Sequence, residues 1–291
     1  MPRVGALAAF VAYLALLVGF LLIGQPAQYQ AVIPGLWFTE AMTIALPAVF
    51  TLLVLGVALA PYLGFRRLSW KAALIAVAAA AANQPIVSFL TWMSRLALPA
   101  DWVAKFDTQQ RAINQIFEVH GAAFALTVTI AAPLGEEIFF RGFAFPAVSK
   151  SWGLPAAIVV SGAAFSFIHL DAVGFLGLME IGILLAALRL WSGSIWAAII
   201  GHAVNNGIAG GAFMLGMQDP DEEPPGWVIA VGAVLLLTAI HALVRLVRQP
   251  RSLAAEEQPA RRRTGATWSL AVFWTASAIW GARFWLRLLG H

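Results

Sequence analysis

The sequence predicts an all-α membrane protein, a polytopic bundle of about eight or nine transmembrane helices around an intramembrane polar cavity. Three observations predict this fold class. Of the 291 residues, 61% are hydrophobic and only 11% are charged, whereas soluble domains carry about 25% charged residues. Apolar runs of close to the roughly 20 residues needed to cross a bilayer recur along the chain. The runs are continuous rather than alternating, which favours helices that satisfy their own backbone groups in lipid.

The candidate spans follow one another with short connections, and small residues are dense in several of them, which suits close helix packing. The predicted spans are 5–24, 42–63, 72–93, 120–147, 153–170, 172–190, 193–216, 227–247 and 266–287. The first is interpreted as an anchor rather than a cleaved signal peptide, because it is long and lacks a small-x-small cleavage site. There are no cysteines, which excludes disulfides, thiolate metal sites and a cysteine nucleophile.

Basic residues are concentrated in two of the connections. Residues 64–71 carry three basic side chains and residues 248–263 carry five arginines, whereas QDPDEEPPG (218–226) is acidic. The positive-inside rule then predicts a cytoplasmic N-terminus, with both basic loops inside and the acidic loop outside. The net charge of +4 is accordingly assigned to membrane anchoring and anionic lipid, and nucleic acid is not expected as a partner.

Polar side chains within the predicted spans are candidates for function, because a charge at the centre of a membrane helix costs roughly 2.5–3.5 kcal/mol. They are Asn83, Gln84, Glu136, Glu137, Arg141, His169, Glu180, His202, Asn205 and Asn206. Glu180 lies mid-span, and two roles are open for it: a second acid in the cavity, or a partner for a polar group such as Asn83.

The first cluster stands in APLGEEIFFRG, residues 132–142. Glu137 and Arg141 are four residues apart with the acid first, the favourable order for an intrahelical ion pair. Glu136 lies about 100° further around the helix and is expected to face the cavity. The alternative is that all three charges lie near the helix end and contact lipid head groups.

Two further clusters stand in FSFIH and GHAVNN. Phe165 and His169 share one helix face, as do His202 and Asn206, because residues four apart are neighbours on a helix. A lone histidine at a helix end is also typical of an interfacial residue or a satisfied buried group. For His202 and Asn206 the structural alternative is a polar clasp between helices.

Together these residue types suit hydrolysis. A carboxylate with an imidazole can activate water as a general base, while the second imidazole and the carboxamide can donate hydrogen bonds to an oxyanion. Equally, Glu136, His169 and His202 could hold Zn²⁺ with an open fourth position. The common zinc-protease motif HExxH is absent.

The order EExxxR, FxxxH, HxxxN is similar to that of the CAAX prenyl endopeptidase and bacteriocin-processing (CPBP, or abortive-infection) family of intramembrane proteases. It stands here as EEIFFR (136–141), FSFIH (165–169) and HAVNN (202–206). The resemblance extends over about residues 118–216. It divides the chain into N-terminal transmembrane helices (1–117), a catalytic core (118–216) and C-terminal transmembrane helices with a basic cytoplasmic linker (217–291).

The resemblance implies catalytic roles for Glu136, His169, His202 and Asn206. Glu136 with His169 would activate the attacking water, and His202 with Asn206 would form the oxyanion site. Glu137, Arg141 and Phe165 would support them. Activation of water without an obligatory metal is favoured, because only two histidines and one clear acid are available, and zinc stays as the alternative cofactor.

The expected substrate is a hydrophobic or lipidated peptide or protein at the bilayer. The expected location is the cytoplasmic membrane of a bacterium, because the Ala-, Gly-, Arg- and Trp-rich composition is typical of bacterial proteins. Two other classes stay open: a non-catalytic scaffold or immunity protein, and a small proton-coupled transporter, for which intramembrane Glu and His are also typical. Oligomeric state is not predicted.

Overall fold

The computed structural model describes residues 4–215, 223–247 and 264–289. Within these ranges every extended regular element is a helix, which confirms the all-α class. Among the described residues, six helical stretches are long and apolar enough to cross a membrane. They are Ala6–Gln30, Val32–Leu55, Trp70–Ala97, Ala100–Trp152, Phe175–Ser192 and Gly226–Leu246.

The predicted count of about eight or nine spans is not confirmed. The segment predicted at 153–170 is a shorter apolar helix, Leu154–Phe167. The segments predicted at 193–216 and 266–287 are helices, Ile195–Met214 and Thr264–Leu288, but they are not among the six. In the helix Ile195–Met214, the polar side chains of His202, Asn205 and Asn206 lower the mean hydropathy.

Two glycines mark helix boundaries that the apolar runs in the sequence do not show. The predicted span 120–147 lies inside the longer stretch Ala100–Trp152, whose helix breaks at Gly121 with φ 45° and ψ −119°. The predicted span 42–63 is instead Val32–Leu55, which ends at Gly56 with φ 66°. Both glycines have positive φ, which L side chains rarely adopt.

The surface carries the apolar side chains that a bilayer requires. In the helix Gly226–Val247, Trp227, Val234 and Leu237 are 72%, 62% and 67% exposed. Side chains of this kind on one long helix are stable in lipid and costly in water. Of the three loops that set the predicted orientation, 64–71 is described, whereas 248–263 and most of 218–226 lie outside the described residues. The orientation therefore stays a prediction.

The chain forms two compact units that do not follow chain order. The first comprises the described residues of Met1–Phe65, Ile130–Ala157 and Ser252–His291. It holds α1 (Ala6–Gly19), α2 (Gln25–Gln30), α3 (Val32–Thr39), α4 (Leu46–Leu55), α5 (Leu59–Leu63), α8 (Ala132–Glu137), α9 (Phe145–Trp152) and α14 (Thr264–Leu288). Its helices are joined by π-helical segments at Phe20–Gly24, Glu40–Ala45 and Ile138–Ala144.

The second unit comprises the described residues of Arg66–Thr129 and Ile158–Arg251. It holds α6 (Trp70–Ala97), α7 (Ala100–Leu126), most of α10 (Leu154–Phe167), α11 (Phe175–Ser192), α12 (Ile195–Met214) and α13 (Gly226–Val247). Helix α6 begins at an N-cap, Ser69, whose hydroxyl accepts from the Ala72 amide at 3.2 Å. Helix α6 packs against α11, α12 and α13, so it is the scaffold for the polar residues of this unit.

Candidate active site

The acidic pair of the first unit ends helix α8, and the following π-helical segment carries Arg141. Arg141 Nη1 donates to Glu137 Oε1 at 2.7 Å, and both side chains are fully buried. The predicted ion pair is therefore present. Its complete burial does not fit the alternative in which these charges contact lipid head groups.

Aromatic packing holds this segment in place. Phe139, Phe140 and Phe143 are fully buried. The ring of Tyr13 lies 6.1 Å from that of Phe139, and the Arg141 guanidinium lies 5.7 Å from the centre of the Phe140 ring. Aromatic pairs at such separations contribute about 0.5–1.5 kcal/mol beyond their buried area. The π-helical turn is thus fixed by its neighbours rather than by propensity.

Glu136 is buried, with 6% of its surface exposed, and lies within electrostatic reach of Arg141 and of Glu40. Glu40 is a residue that the sequence interpretation missed, because it lies two positions before the predicted span 42–63. Its own burial, at 9% exposed, places it inside the first unit. An acidic residue directly preceding a predicted apolar run was the feature that could have identified it.

His169 belongs to the second unit and lies in the turn that follows helix α10. Its Nδ1 is 2.9 Å from the backbone carbonyl of Phe165. A carbonyl can only accept, so Nδ1 carries the hydrogen in the neutral ring and Nε2 carries the lone pair. In this tautomer Nε2 is the basic nitrogen of the ring.

Phe165 connects the two histidines. Its ring centre lies 5.1 Å from that of His169 and 5.5 Å from that of His202, the latter in an edge-to-face arrangement. Phe165 and His202 are 1% and 3% exposed. The second unit thus brings both histidines against the buried Phe165 ring, and His169 itself is only partly buried.

A chain of carboxamides leads to Asn206. Gln84 Nε2 donates to Asn205 Oδ1 at 2.6 Å, and Asn205 Nδ2 donates to Asn206 Oδ1 at 3.3 Å. Asn206 Nδ2 in turn donates to the carbonyl of Val128 at 2.8 Å. Val128 lies in a π-helical segment, Thr127–Ala131, where the shifted backbone pairing frees a carbonyl for another donor. The chain fixes which edge of the Asn206 amide carries the N–H groups.

Glu180 has a partner elsewhere in the second unit. Asn83 Nδ2 donates to Glu180 Oε2 at 2.6 Å. Of the two roles open for Glu180, pairing with Asn83 is therefore the one the structure bears out.

Asp171 is a further acid beside the histidine turn. Its Oδ1 accepts from the Gly174 amide at 2.9 Å, at the start of helix α11. Burial raises the pKa of Asp171, while hydrogen bonds from the Gly174 and Val173 amides and the charge of His169 oppose that rise. This carboxyl is therefore close enough to His169 for the two groups to interact electrostatically.

An apolar cavity of about 590 Å³ adjoins the same turn within the second unit. Its lining includes Met93, Leu98, Trp102, Phe167, Leu170 and Leu176. Ligand pockets are typically apolar clefts of roughly 300–1,000 Å³. The cavity is large enough for a hydrophobic side chain or a lipid chain.

The predicted residues thus fall into two local groups. Glu136, Glu137 and Arg141 lie together in the first unit, and Phe165, His169, His202 and Asn206 lie in the second. Among the residues that the structure describes, no group of three or more His, Asp or Glu side chains is arranged to hold a metal ion. Zinc binding stays a prediction, which metal analysis of the pure protein tests.

Comparison with known protein families gives a match to part of the chain. Residues 118–208 match the family model for "Type II CAAX prenyl endopeptidase Rce1-like". This segment contains all three motifs and about a third of the chain. No curated protein and no solved structure shows significant similarity. With the six apolar helices, the match supports an integral membrane protease.

Proposed function

The match over residues 118–208 supports membership of the CAAX prenyl endopeptidase family, and on this premise we propose that the chain is an intramembrane endopeptidase. It hydrolyses a peptide bond in a membrane-associated or lipidated substrate. The observation that carries the proposal is that Phe165 contacts both imidazoles, so that two potential proton carriers of the family segment lie against one aromatic ring.

In the proposed reaction Glu136, assisted by His169, takes a proton from water as the water oxygen bonds to the scissile carbonyl carbon. The carbonyl electrons move to the oxygen, and His202 and Asn206 donate hydrogen bonds to the resulting oxyanion. When the C–N bond breaks, those electrons restore the carbonyl and the proton passes to the leaving nitrogen. Atoms and charge balance without a step at a metal.

Three features support these roles. Glu136 is buried, and the Arg141 guanidinium beside it gives its 2.7 Å hydrogen bond to Glu137. The Nδ1–H bond of His169 leaves a basic Nε2. Asn206 has a second amide hydrogen besides the one given to Val128. The nearby apolar cavity suits the hydrophobic part of the substrate.

The test is cleavage by the full chain reconstituted in liposomes. Two probes are used: a farnesylated peptide with a C-terminal CaaX sequence, and a hydrophobic transmembrane peptide without lipid. Mass spectrometry identifies the products. Glu136→Gln and His202→Ala are expected to abolish cleavage while the protein elutes as a single folded species. Full activity in either variant would contradict the assigned roles.

A matched control is Glu180→Gln, which keeps an acceptor for Asn83. A protease is expected to retain activity in this variant, whereas a proton-coupled carrier would lose uptake that depends on the pH gradient. Metal content of the pure protein, with and without chelator, decides the zinc alternative independently of the carboxylate variants.

A further inference from the structure

We propose that Glu40 is a second carboxyl group of the active site, which accepts a hydrogen bond from the attacking water and so orients it for Glu136. This inference rests on the proposed function and adds a residue outside the family segment 118–208. Glu40 acts by touching the water, and no proton is transferred to it.

The first step is the closeness of Glu40 to the helix that carries Glu136. A Cβ atom built on Gly135 would lie 2.5 Å from Glu40 Oε2 and 2.8 Å from the Glu40 carbonyl oxygen. Real Cβ atoms do not approach other atoms so closely, so this position admits only glycine without a shift. The Glu40 carboxyl thus lies directly on the backbone of the residue before Glu136.

The second step is the state of the Glu40 carboxyl. The residue is 9% exposed, and its Oε2 atom is buried without a hydrogen-bond partner within the described part of the chain. A buried polar atom left in this way destabilises the folded protein, because it has lost its hydrogen bonds to water. An acceptor oxygen of this kind beside a proposed general base indicates a ligand that donates hydrogen bonds.

The third step is the choice of that ligand. Glu40 and Glu136 are close enough to interact electrostatically, and Arg141 gives its 2.7 Å hydrogen bond to Glu137. A water molecule has two hydrogens. If Glu136 takes one, the other needs an acceptor, so that the lone pair of the oxygen points at the substrate carbonyl. Glu40 provides that acceptor.

The helix geometry agrees with a specialised site. Glu40 opens the π-helical segment Glu40–Ala45, and Glu137 immediately precedes another, Ile138–Ala144. Single π turns inside α-helices are rare overall, and those that occur often lie at functional sites. Here one π-helical segment begins at Glu40 and the other begins two residues after Glu136, and the two segments are about 95 residues apart in the chain.

The experiment measures the shared water directly. Infrared spectra of the full chain in liposomes are recorded in D2O and in D2¹⁸O, and an O–D stretch that shifts with the oxygen isotope is expected from a strongly bound water. The band should be present in the wild type and lost in both Glu40→Leu and Glu136→Gln. Persistence of the wild-type band in Glu40→Leu overturns the inference, whether or not the enzyme is active.

Kinetics with the two peptide probes give the second measurement. Glu40→Leu should lower kcat by about 100-fold, the loss expected when a reacting group is misplaced by about 1 Å, while KM stays near the wild-type value. Glu40→Gln keeps the shape and one acceptor oxygen and should lose less. A rise in KM at constant kcat contradicts a role in orienting water.

Gly135→Ala tests the contact without removing the carboxyl group, because the added methyl must displace Glu40. Like Glu40→Leu, the Gly135→Ala variant should lack the O–D band of the bound water and should lose activity. Gly211→Ala is the matched control, since a Cβ there meets nothing within 4 Å. If the wild type cleaves neither probe, the proposed function fails, and with it the catalytic role of Glu40. The infrared result then decides separately whether the two carboxyls share a water.

Discussion

Asn206 donates a hydrogen bond of 2.8 Å from its side-chain nitrogen to the carbonyl oxygen of Val128. The acceptor belongs to a helix 78 positions earlier in the chain. The bond leaves the second amide hydrogen of Asn206 for another acceptor, and the Gln84–Asn205 bond holds the amide in that orientation. Asn206 is thus supported by a network rather than by its own helix alone.

The first prediction concerns Gln84, which begins this chain of carboxamides. Gln84→Met keeps the side-chain size but removes the donor to Asn205, so the Asn206 amide can rotate. We expect kcat for the peptide probes to fall by about tenfold, equivalent to about 1.4 kcal/mol, with KM unchanged. Gln109→Met, at an exposed position, is the control for loss of an amide. Wild-type kcat in Gln84→Met would show that the chain does not orient Asn206.

The second prediction concerns the Glu137–Arg141 pair. Arg141→Met leaves a fully buried carboxylate without its partner, which typically costs about 3–5 kcal/mol. We expect a marked fall in thermal stability in detergent. The double variant Glu137→Gln, Arg141→Met removes both charges and should recover most of the loss. A double variant no more stable than Arg141→Met would contradict coupling between the two side chains.

The third prediction uses Asp171, whose pKa burial raises above its ordinary value of 3.8. The folded state then binds this proton more tightly than the unfolded state, so the contribution of Asp171 to stability falls as pH rises from about 4 through the raised pKa. Asp171→Asn keeps an oxygen acceptor for Gly174 and does not titrate.

Melting temperatures of wild type and Asp171→Asn measured between pH 4 and pH 8 check this sign. As pH rises, the melting temperature of the variant should increase relative to that of the wild type. The difference between the two should be smallest near pH 4. If the melting temperature of the wild type instead rises relative to that of the variant as pH increases, the folded protein favours the charged carboxylate, which contradicts the prediction.

The fourth prediction concerns orientation in the membrane. The chain has no cysteine, so single cysteines can be introduced without background. Arg67→Cys and Arg262→Cys should react with a membrane-impermeant maleimide only in inverted vesicles, and Glu222→Cys only in intact cells. Labelling of Arg67→Cys in intact cells would reverse the predicted orientation.

Contacts within a helix were predictable from the sequence. The i, i+4 spacing of Glu137 with Arg141 and of Phe165 with His169 predicted neighbours, and both pairs are in contact. The helical period brings such residues to one face in any helix. The apolar runs similarly predicted membrane helices, although length and hydropathy together select six of them among the described residues.

The sequence by itself determined the all-helical membrane class, the ion pair and the motif spacings, because these depend on composition and helical period. Only the tertiary structure decided that Glu40 lies against Gly135, that Gln84 bonds to Asn205 and that Phe165 contacts His202. Such contacts join helices distant in the chain. They depend on how side chains of different helices interlock, which no local pattern specifies.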